Sequence, residues 1–282
     1  MTTTTTNSTF FNREYCQILF SAAITGPLTW PLAAELIAKQ QGNKAYSFLS
    51  FVRSQGVQRA FSGCAPYSSY KLFGIGSQRG VQAPVLEYLN TEQNLIISNR
   101  WIQYIVAGVA SGVIGGFIVT PVEQFKISFA NKDFTSYKQT KQFFLSDFKR
   151  VGYLLSGARA TMGRNVVFDS VNSILYNGTL ANTTFKIDRK NAVHMGVVNC
   201  FAGVLTAVID YPLDVIKTRI QSATVARQLA STPTPSIWST GRVMVQTEGW
   251  RSLYGGLRHK ISLYALVWLV YGVSFGALGS VL

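Results

Sequence analysis

The chain has 282 residues, of which 48% are hydrophobic and only 13% charged, and its net charge is +14. A typical soluble domain has about 25% charged residues, so this composition argues against an ordinary soluble protein. The basic residues are scattered between apolar spans, which argues against nucleic-acid binding and suits anionic lipids and anionic solutes. Cys16, Cys64 and Cys200 are widely spaced, and they predict neither a disulfide framework nor a metal site.

Residues 1–10 are predicted to form a flexible tail. This Thr-rich stretch has neither the basic region of a secretory signal nor the arginines of a transit peptide. Three later windows contain no charged residue at all: 15–34, 101–122 and 261–282. Each window is long enough to cross the apolar core of a bilayer, which is about 30 Å thick. The sequence therefore predicts an integral membrane protein.

The chain repeats itself with a period of roughly ninety residues. The segments PVEQFK, from Pro121, and PLDVIK, from Pro212, share a proline, then an acid, then a lysine at equal spacing. Pro31 lies about one period earlier, again at the end of an apolar span. We expect each proline to kink and end a helix, because proline removes one backbone hydrogen bond and clashes with the preceding turn. The predicted repeats are 11–92, 97–183 and 190–282.

Each proline is followed by a polar amphipathic stretch, a glycine turn and a second apolar segment. The turn glycines are Gly63, Gly157 and Gly256. Three such units predict an all-α membrane protein, with six transmembrane helices in a pseudo-threefold bundle and three short amphipathic helices on one side. Gly108, Gly112 and Gly116 share one helix face, which would let a neighbouring backbone approach closely.

This threefold pattern resembles the mitochondrial carrier family, whose repeats combine Pro-x-Asp/Glu-x-x-Lys/Arg with a glycine-turn helix. The third repeat matches most completely, through Pro212, Asp214, Lys217, Arg219 and Gln221. The resemblance implies a monomeric, multi-pass transporter of the mitochondrial inner membrane that works by alternating access. It also implies surface helices on the matrix side, both termini toward the intermembrane space, bound inner-membrane lipid such as cardiolipin, and no cofactor.

The charged residues after each proline are candidates for a gate. The resemblance implies a ring of ion pairs between repeats, formed here by Glu123, Lys126, Asp214 and Lys217. The first repeat breaks that ring, because Ala33 stands where an acid is expected and Leu36 where a base is expected. Lys126 and Asp214 are therefore expected to lack in-register partners in repeat 1, where Glu35 and Lys39 are nearby substitutes out of register. The alternative is an ordinary interfacial pair three residues apart, which would contribute only a few tenths of a kcal/mol.

The resemblance places solute contacts on the second helix of each repeat, about two turns beyond the glycine turn. The equivalent positions are Tyr70, Arg164 and Leu263. Arg164 is followed by Asn165, a pair that the family uses for carboxylates and keto acids. Arginine suits such a solute because its planar fork binds a carboxylate through two parallel hydrogen bonds. Further candidate contacts are Lys71 and Lys260; the alternatives are pairing of Arg164 with Asp169, or snorkelling of these cations to the interface.

The segments around Arg164 resemble the tricarboxylate (citrate) subgroup, so the expected solute is a di- or tricarboxylate or a keto acid. Asn172 stands where that subgroup has a second base, which implies a solute with fewer negative charges. The rival function is a non-transporting membrane adapter or scaffold on the same fold. An enzyme is not expected, because neither His194 nor His259 has a Ser or Cys partner at motif spacing.

Overall fold

The structure is a computed structural model. It describes residues 13–41, 43, 45–90, 99–130, 138–139, 142–143, 154–155, 157–181, 191–223 and 233–281. The described helices are α1 (Arg13–Gln40), α2 (Phe48–Gln55), α3 (Val57–Ala60), α4 (Cys64–Asn90), α5 (Arg100–Ala130), α6 (Ala158–Ala181), α7 (Ala192–Ser222), α8 (Ile237–Glu248) and α9 (Leu257–Val281), with a 3₁₀ turn at Trp250–Tyr254. Strands do not occur among these residues, and the predicted all-α class is confirmed.

Six long helices form a closed ring. In chain order, α1 packs on α4, α4 on α5, α5 on α6, α6 on α7 and α7 on α9, and α9 returns to α1. Each predicted repeat contributes a first helix (α1, α5 or α7) and a second helix (α4, α6 or α9). The result is three helix pairs around a common centre, which is the predicted pseudo-threefold bundle.

The three repeat prolines do not end their helices, so that part of the prediction is wrong. Pro31, Pro121 and Pro212 lie inside α1, α5 and α7, and each helix continues for more than two turns beyond its proline. Packing against neighbouring helices can satisfy the backbone groups that a proline frees. The kinks at these prolines stay a prediction. In α5 and α7 the continuation carries the charged residues after the proline into the centre of the ring.

The helices bury many of their polar side chains beside an apolar core and carry apolar side chains on the outside. Along α7, Val193, Val197, Phe201, Leu205 and Ile209 are exposed at intervals of one turn, whereas its polar side chains are buried: Asn199, Thr206, Asp210, Asp214 and Lys217. A contiguous exposed apolar face of this kind suits lipid and is rare on a soluble monomer. Two described helical stretches are long and apolar enough to cross a bilayer by length and composition, Arg100–Ser128 and Val193–Ser222.

The glycine stripe of α5 packs directly on the backbone of α6. A Cβ added at Gly112 would lie 2.5 Å from the Val166 backbone, and one at Gly116 would lie 2.8 Å from Met162 Cα. Gly108 faces the Ser170 backbone in the same way. The close approach predicted from the four-residue spacing is therefore present. It fixes α6, and with it Arg164, against α5.

Two of the predicted surface helices are described, α2 and α8. Each ends at a glycine with positive φ, Gly56 at 84° and Gly249 at 81°, a conformation that favours glycine because it has no Cβ. The third surface helix falls between α5 and α6, mostly outside the described residues. The predicted tail at residues 1–10 also lies outside them.

Candidate functional site

Charged side chains of several helices meet inside the ring, where the first helices end. Lys217 of α7 donates to Glu123 of α5 across 2.8 Å, and both side chains are 2% exposed. Lys126 lies 3.3 Å from the same carboxylate oxygen. Gln221 donates to the other Glu123 oxygen across 3.2 Å. These burial values exclude the alternative of an exposed interfacial pair, and a buried pair of this kind is strongly destabilised when one partner is removed.

Asp214 is the second acid of this cluster. Its carboxylate lies 2.8 Å from Lys260 Nζ, 3.4 Å from Arg164 Nε and 3.5 Å from Lys217 Nζ. Gln40 of α1 also donates to Asp214 across 2.7 Å. Asp214 therefore has a repeat 1 partner, but one outside the register in which the sequence predicts that a partner is missing. The partner is an amide that lies beyond the position where the repeat pattern places a base.

Repeat 1 closes its part of the ring without charges. Ala33 and Leu36 are buried, at 2% and 5% exposure. Gln40 supplies the polar contacts of α1 instead. Its side-chain oxygen accepts a hydrogen bond from Thr218, and its backbone oxygen accepts one from Arg219 Nε across 2.8 Å. Gln40 is equivalent by repeat register to Gln221, which makes the corresponding contact with Glu123.

Arg164 is buried and bonded on several sides. Its Nε lies 2.7 Å from Asp210 Oδ2. Its terminal nitrogens donate to the Tyr264 hydroxyl across 2.7 Å and to Asn165 Oδ1 across 3.0 Å. The alternatives weighed from sequence are both wrong: its acid partner is Asp210 and not Asp169, and at 5% exposure the side chain does not snorkel. A charged group this deep in a membrane bundle costs free energy and usually serves a function.

The other predicted contacts surround Arg164. Lys260 is fully buried and pairs with Asp214 and, at 3.5 Å, with Asp210. Lys71 is also buried, so neither lysine snorkels. The Lys71 ammonium lies over the Tyr67 and Tyr264 rings, 5.5 Å and 5.4 Å from the centroids, with no described carboxylate within 4 Å. The Lys126 ammonium lies over the aromatic ring of Tyr70, 3.8 Å from the ring centroid.

Two small cavities flank Arg164. The first, toward the Glu123–Lys217 pair, leaves about 40 Å³ for the centres of water-sized molecules, and the second leaves about 60 Å³. Both are lined by Tyr70, Lys71, Arg164 and Tyr264. Volumes of this size admit a few water molecules. The four shared residues therefore separate the two cavities and face both.

From the middle of the second helices onward, contacts across the ring are mainly aromatic and neutral. The Arg79 guanidinium lies 4.6 Å above the Tyr176 ring, joining α4 to α6. Gln82 donates to the backbone oxygen of Asp169 across 3.3 Å. Phe168 stacks on Trp268, which joins α6 to α9. Cation–π and ring contacts thus link the second helices beyond Arg164.

Asp210 and Tyr264 are not among the contacts predicted from the sequence. Asp210 is detectable in principle, because it is a lone acid within an apolar span and lies two residues before Pro212. The hydroxyl of Tyr264 could not be recognised, since its use depends on α9 packing beside α6. Both residues come to Arg164 from the third repeat.

A ring of apolar-faced helices around a buried charged site is the architecture of a membrane solute carrier. A family described as mitochondrial carrier protein matches residues 188–282, close to the predicted third repeat. The mitochondrial glycine transporter of Rattus norvegicus is 24% identical, covering 82% of this chain and 71% of its own length. The mitochondrial 2-oxodicarboxylate carrier of Bos taurus is 26% identical over 76% of this chain and 72% of its own.

A mitochondrial glutathione transporter of Rattus norvegicus is 26% identical, covering 75% of this chain and 64% of its own length. These findings match residues 188–282 to the mitochondrial carrier family and show that most of the chain is similar, at 24–26% identity, to proteins named as mitochondrial transporters and carriers. They do not support the tricarboxylate subgroup, because these relatives are named for glycine, 2-oxodicarboxylates and glutathione.

Proposed function

We propose that this protein moves a small carboxylate-bearing metabolite across the mitochondrial inner membrane by alternating access, with Arg164 as the carboxylate-binding residue. The observation that carries the proposal is that Arg164 is buried, faces both cavities and lies between the two layers of contacts across the ring. A binding site in that position would become accessible from either side as one layer opens and the other closes. Asn165, Tyr70, Lys71 and Lys260 complete the proposed site.

The charge of the site favours a solute with one or two carboxylates. Five buried cations belong to this region: Lys71, Lys126, Arg164 and Lys217 line the cavities, and Lys260 lies outside their linings. They face the carboxylates of Glu123, Asp210 and Asp214, and Asp169 adds a fourth acid beside the second cavity. The cations therefore outnumber the acids by two if Asp169 is left out and by one if it is counted. Of the di- and tricarboxylates and keto acids expected from sequence, the tricarboxylates match this surplus least well.

The cluster of Glu123, Lys126, Asp214 and Lys217 is the proposed gate at the matrix end, completed in repeat 1 by Gln40. Lys217 and Glu123 lie on different repeats, so separation of α5 from α7 would break their 2.8 Å contact. The sidedness comes from the family resemblance, as do both termini toward the intermembrane space, a monomeric state and bound cardiolipin.

The test is exchange of labelled solutes by the purified chain in liposomes, using citrate, malate, 2-oxoglutarate and sulfate. Arg164→Ala should lower transport of the accepted solute by a factor that corresponds to about 2–5 kcal/mol, which is roughly thirtyfold to several thousandfold. Arg164→Lys should rescue it only in part, because an ammonium lacks the fork. Asn165→Ala should cost less, about 1 kcal/mol, since it removes a neutral hydrogen bond.

The matched control is Arg159→Ala. Arg159 is exposed near the start of the same helix, so its removal should leave transport unchanged. Membrane insertion and protein level are measured for every variant. If Arg164→Ala transports as well as the parent, the carboxylate site is wrongly placed.

A second candidate is the non-transporting scaffold. The small cavities favour it, together with Leu263, which is 3% exposed and fills part of the first one. A scaffold would insert normally and exchange none of the four solutes nor any amino acid, and its stability would not respond to them.

A further inference from the structure

Asp210 places a carboxylate directly beside Arg164, next to the residues that line the two cavities. It lies on α7, its side chain is 0% exposed, and it stands between two cations: Oδ2 is 2.7 Å from Arg164 Nε and Oδ1 is 3.5 Å from Lys260 Nζ. A solute that reaches the Arg164 guanidinium therefore also meets an acid. Neither the gate nor the carboxylate-binding role accounts for this residue.

The contact between Asp210 and Arg164 is close but poorly aligned. Among the described residues, the two Asp210 oxygens have no partner with hydrogen-bond geometry. The same is true of Arg164 Nε. The two terminal nitrogens of Arg164 are held instead by Tyr264 and Asn165. The acid thus neutralises the guanidinium while its own hydrogen-bonding capacity remains unused, and buried polar groups normally find a partner.

The acid is specific to one repeat. Two residues before the proline, repeat 1 has Thr29 and repeat 2 has Val119 where repeat 3 has Asp210. Thr29 bonds within its own repeat pair, to the Thr25 backbone oxygen and the Tyr67 hydroxyl. The centre of the ring is therefore polarised, with one carboxylate offered from the α7 side.

This arrangement discriminates between kinds of carboxylate. A purely anionic solute at the terminal nitrogens of Arg164 adds a second negative charge beside Asp210, which then shares the guanidinium with the solute and has Lys260 as its other close cation. A solute that also carries an ammonium can put its carboxylate on Arg164 and its ammonium on Asp210, so each buried charge keeps an opposite charge beside it. The ammonium also supplies the hydrogen-bond donors that Asp210 lacks.

We infer that Asp210 is the ammonium-binding residue of this carrier and that the transported carboxylate is an α-amino acid. The inference rests on the proposed function and narrows it: Arg164 recognises the carboxylate, and Asp210 separates amino acids from the corresponding oxo acids. Lys71, over the Tyr67 and Tyr264 rings, would accept a second carboxylate where the amino acid has one.

The test uses matched solutes that differ only in an amino or an oxo group at C2. Liposomes containing the full chain are assayed for exchange of labelled alanine, pyruvate, glutamate and 2-oxoglutarate, and each unlabelled compound is titrated as a competitor. In the parent, the amino member of at least one pair should compete at a concentration at least tenfold lower than its oxo partner. N-acetylated alanine and glutamate, which have no ammonium, should compete no better than the oxo acids.

In Asp210→Asn the preference for the amino member should fall by at least tenfold, while exchange of the oxo member is kept or increased. Asp210→Glu keeps the charge and should retain part of the preference. The matched control is Glu35→Gln: Glu35 is an acid on α1 that lines neither cavity and accepts from the Phe48 backbone N–H across 2.7 Å. Its replacement should leave the amino-to-oxo ratio unchanged.

The outcomes separate the two proposals. The inference is overturned if the parent prefers oxo acids over amino acids, or if the N-acetylated compounds compete effectively. Either result would leave Arg164 as a carboxylate site. An Asp210→Asn variant with the parent's ratio would overturn it as well. If no carboxylate is exchanged, or if Arg164→Ala is as active as the parent, the proposed function fails and the inference fails with it. The parent-only competition decides the question even if Asp210→Asn does not fold.

Discussion

The first helices of repeats 1 and 3 end in equivalent places but meet the centre of the ring differently. In α7, the positions after the proline hold Asp214, which contacts three cations, and Lys217, which pairs with Glu123. In α1, the same positions hold Ala33 and Leu36, both buried. One side of the ring is held by ion pairs, and the other is held by apolar packing with one amide, Gln40.

This difference shows that the ring can close without a charge from every repeat. A buried ion pair must recover the cost of removing both charges from water, so an apolar contact with one well-placed amide can be equally stable. Ion pairs are strongly weakened by separation, whereas an apolar contact has no charge to expose. We therefore expect the α5–α7 contact to dominate the cost of opening this end, and the α1 contacts to contribute less.

The largest effect should come from breaking the pair on the charged side. Glu123→Gln and Lys217→Gln each leave a buried charge without its closest partner, a loss of about 3–5 kcal/mol. The double substitution removes both charges and should recover much of that loss. Thermal unfolding of the purified chain in detergent, analysed as a double-mutant cycle, measures the coupling. Leu36→Gln at the equivalent position of α1 is the matched comparison and should show no coupling to Glu123→Gln.

Additive losses in that cycle would mean that Glu123 and Lys217 do not stabilise each other, and the contrast between the two sides would disappear. A charge swap is a less suitable test, because Glu123→Lys would face Lys126 and Lys217→Glu would face Asp214.

The next effect concerns the helix pair that carries Arg164. Gly112→Ala places a Cβ 2.5 Å from the Val166 backbone, and backbone cannot move aside cheaply. We expect a loss of about 1–3 kcal/mol from overpacking, seen as a lower unfolding temperature. Gly163→Ala is the control in α6, since its Cβ would meet the Ile237 side chain at an ordinary 3.8 Å. It should be neutral or slightly stabilising, because alanine favours a helix. Equal losses in both variants would contradict the close packing.

Repeat 1 does provide one buried cation, Lys71, and its removal should have a smaller effect. Lys71→Met keeps most of the side-chain volume and removes the charge over the Tyr67 and Tyr264 rings. We expect the KM of an anionic solute to rise about tenfold, equivalent to about 1.4 kcal/mol, with a smaller change in maximal rate. Lys71→Arg should restore binding in part. An unchanged KM would remove Lys71 from the solute site.

The smallest effect should come from giving repeat 1 the acid that it lacks. Ala33 and Lys126 line the same cavity, so Ala33→Asp would place a carboxylate on the wall that Lys126 faces. The new pair should strengthen closure and slow exchange about fivefold, or about 1 kcal/mol. Ala33→Asn, which has similar size and no charge, is the control and should have less effect. Faster exchange in Ala33→Asp would show that the apolar side does not limit opening.

Much of this organisation is predictable from the sequence, because it depends on short-range patterns. Uncharged windows longer than a bilayer is thick specify membrane helices, and the proline–acid–lysine spacing exposes the repeat. The same spacing places Glu123 and Lys217 at matching depths on neighbouring repeats. The four-residue interval of Gly108, Gly112 and Gly116 predicts a close helix contact without identifying the partner helix.

The partners of the buried charges were decided by the tertiary structure. Arg164 and Asp210 belong to different repeats, and the sequence contains no signal that joins an acid before Pro212 to an arginine after Gly157. Gln40 reaches Asp214 because α1 continues past Pro31, which the proline rule alone does not predict.

The sequence by itself determined which side chains are too polar to face lipid. Only the closed ring of helices determined which of them meet, because Coulomb interactions in a medium of low polarity depend on distances of a few ångströms that no single repeat specifies.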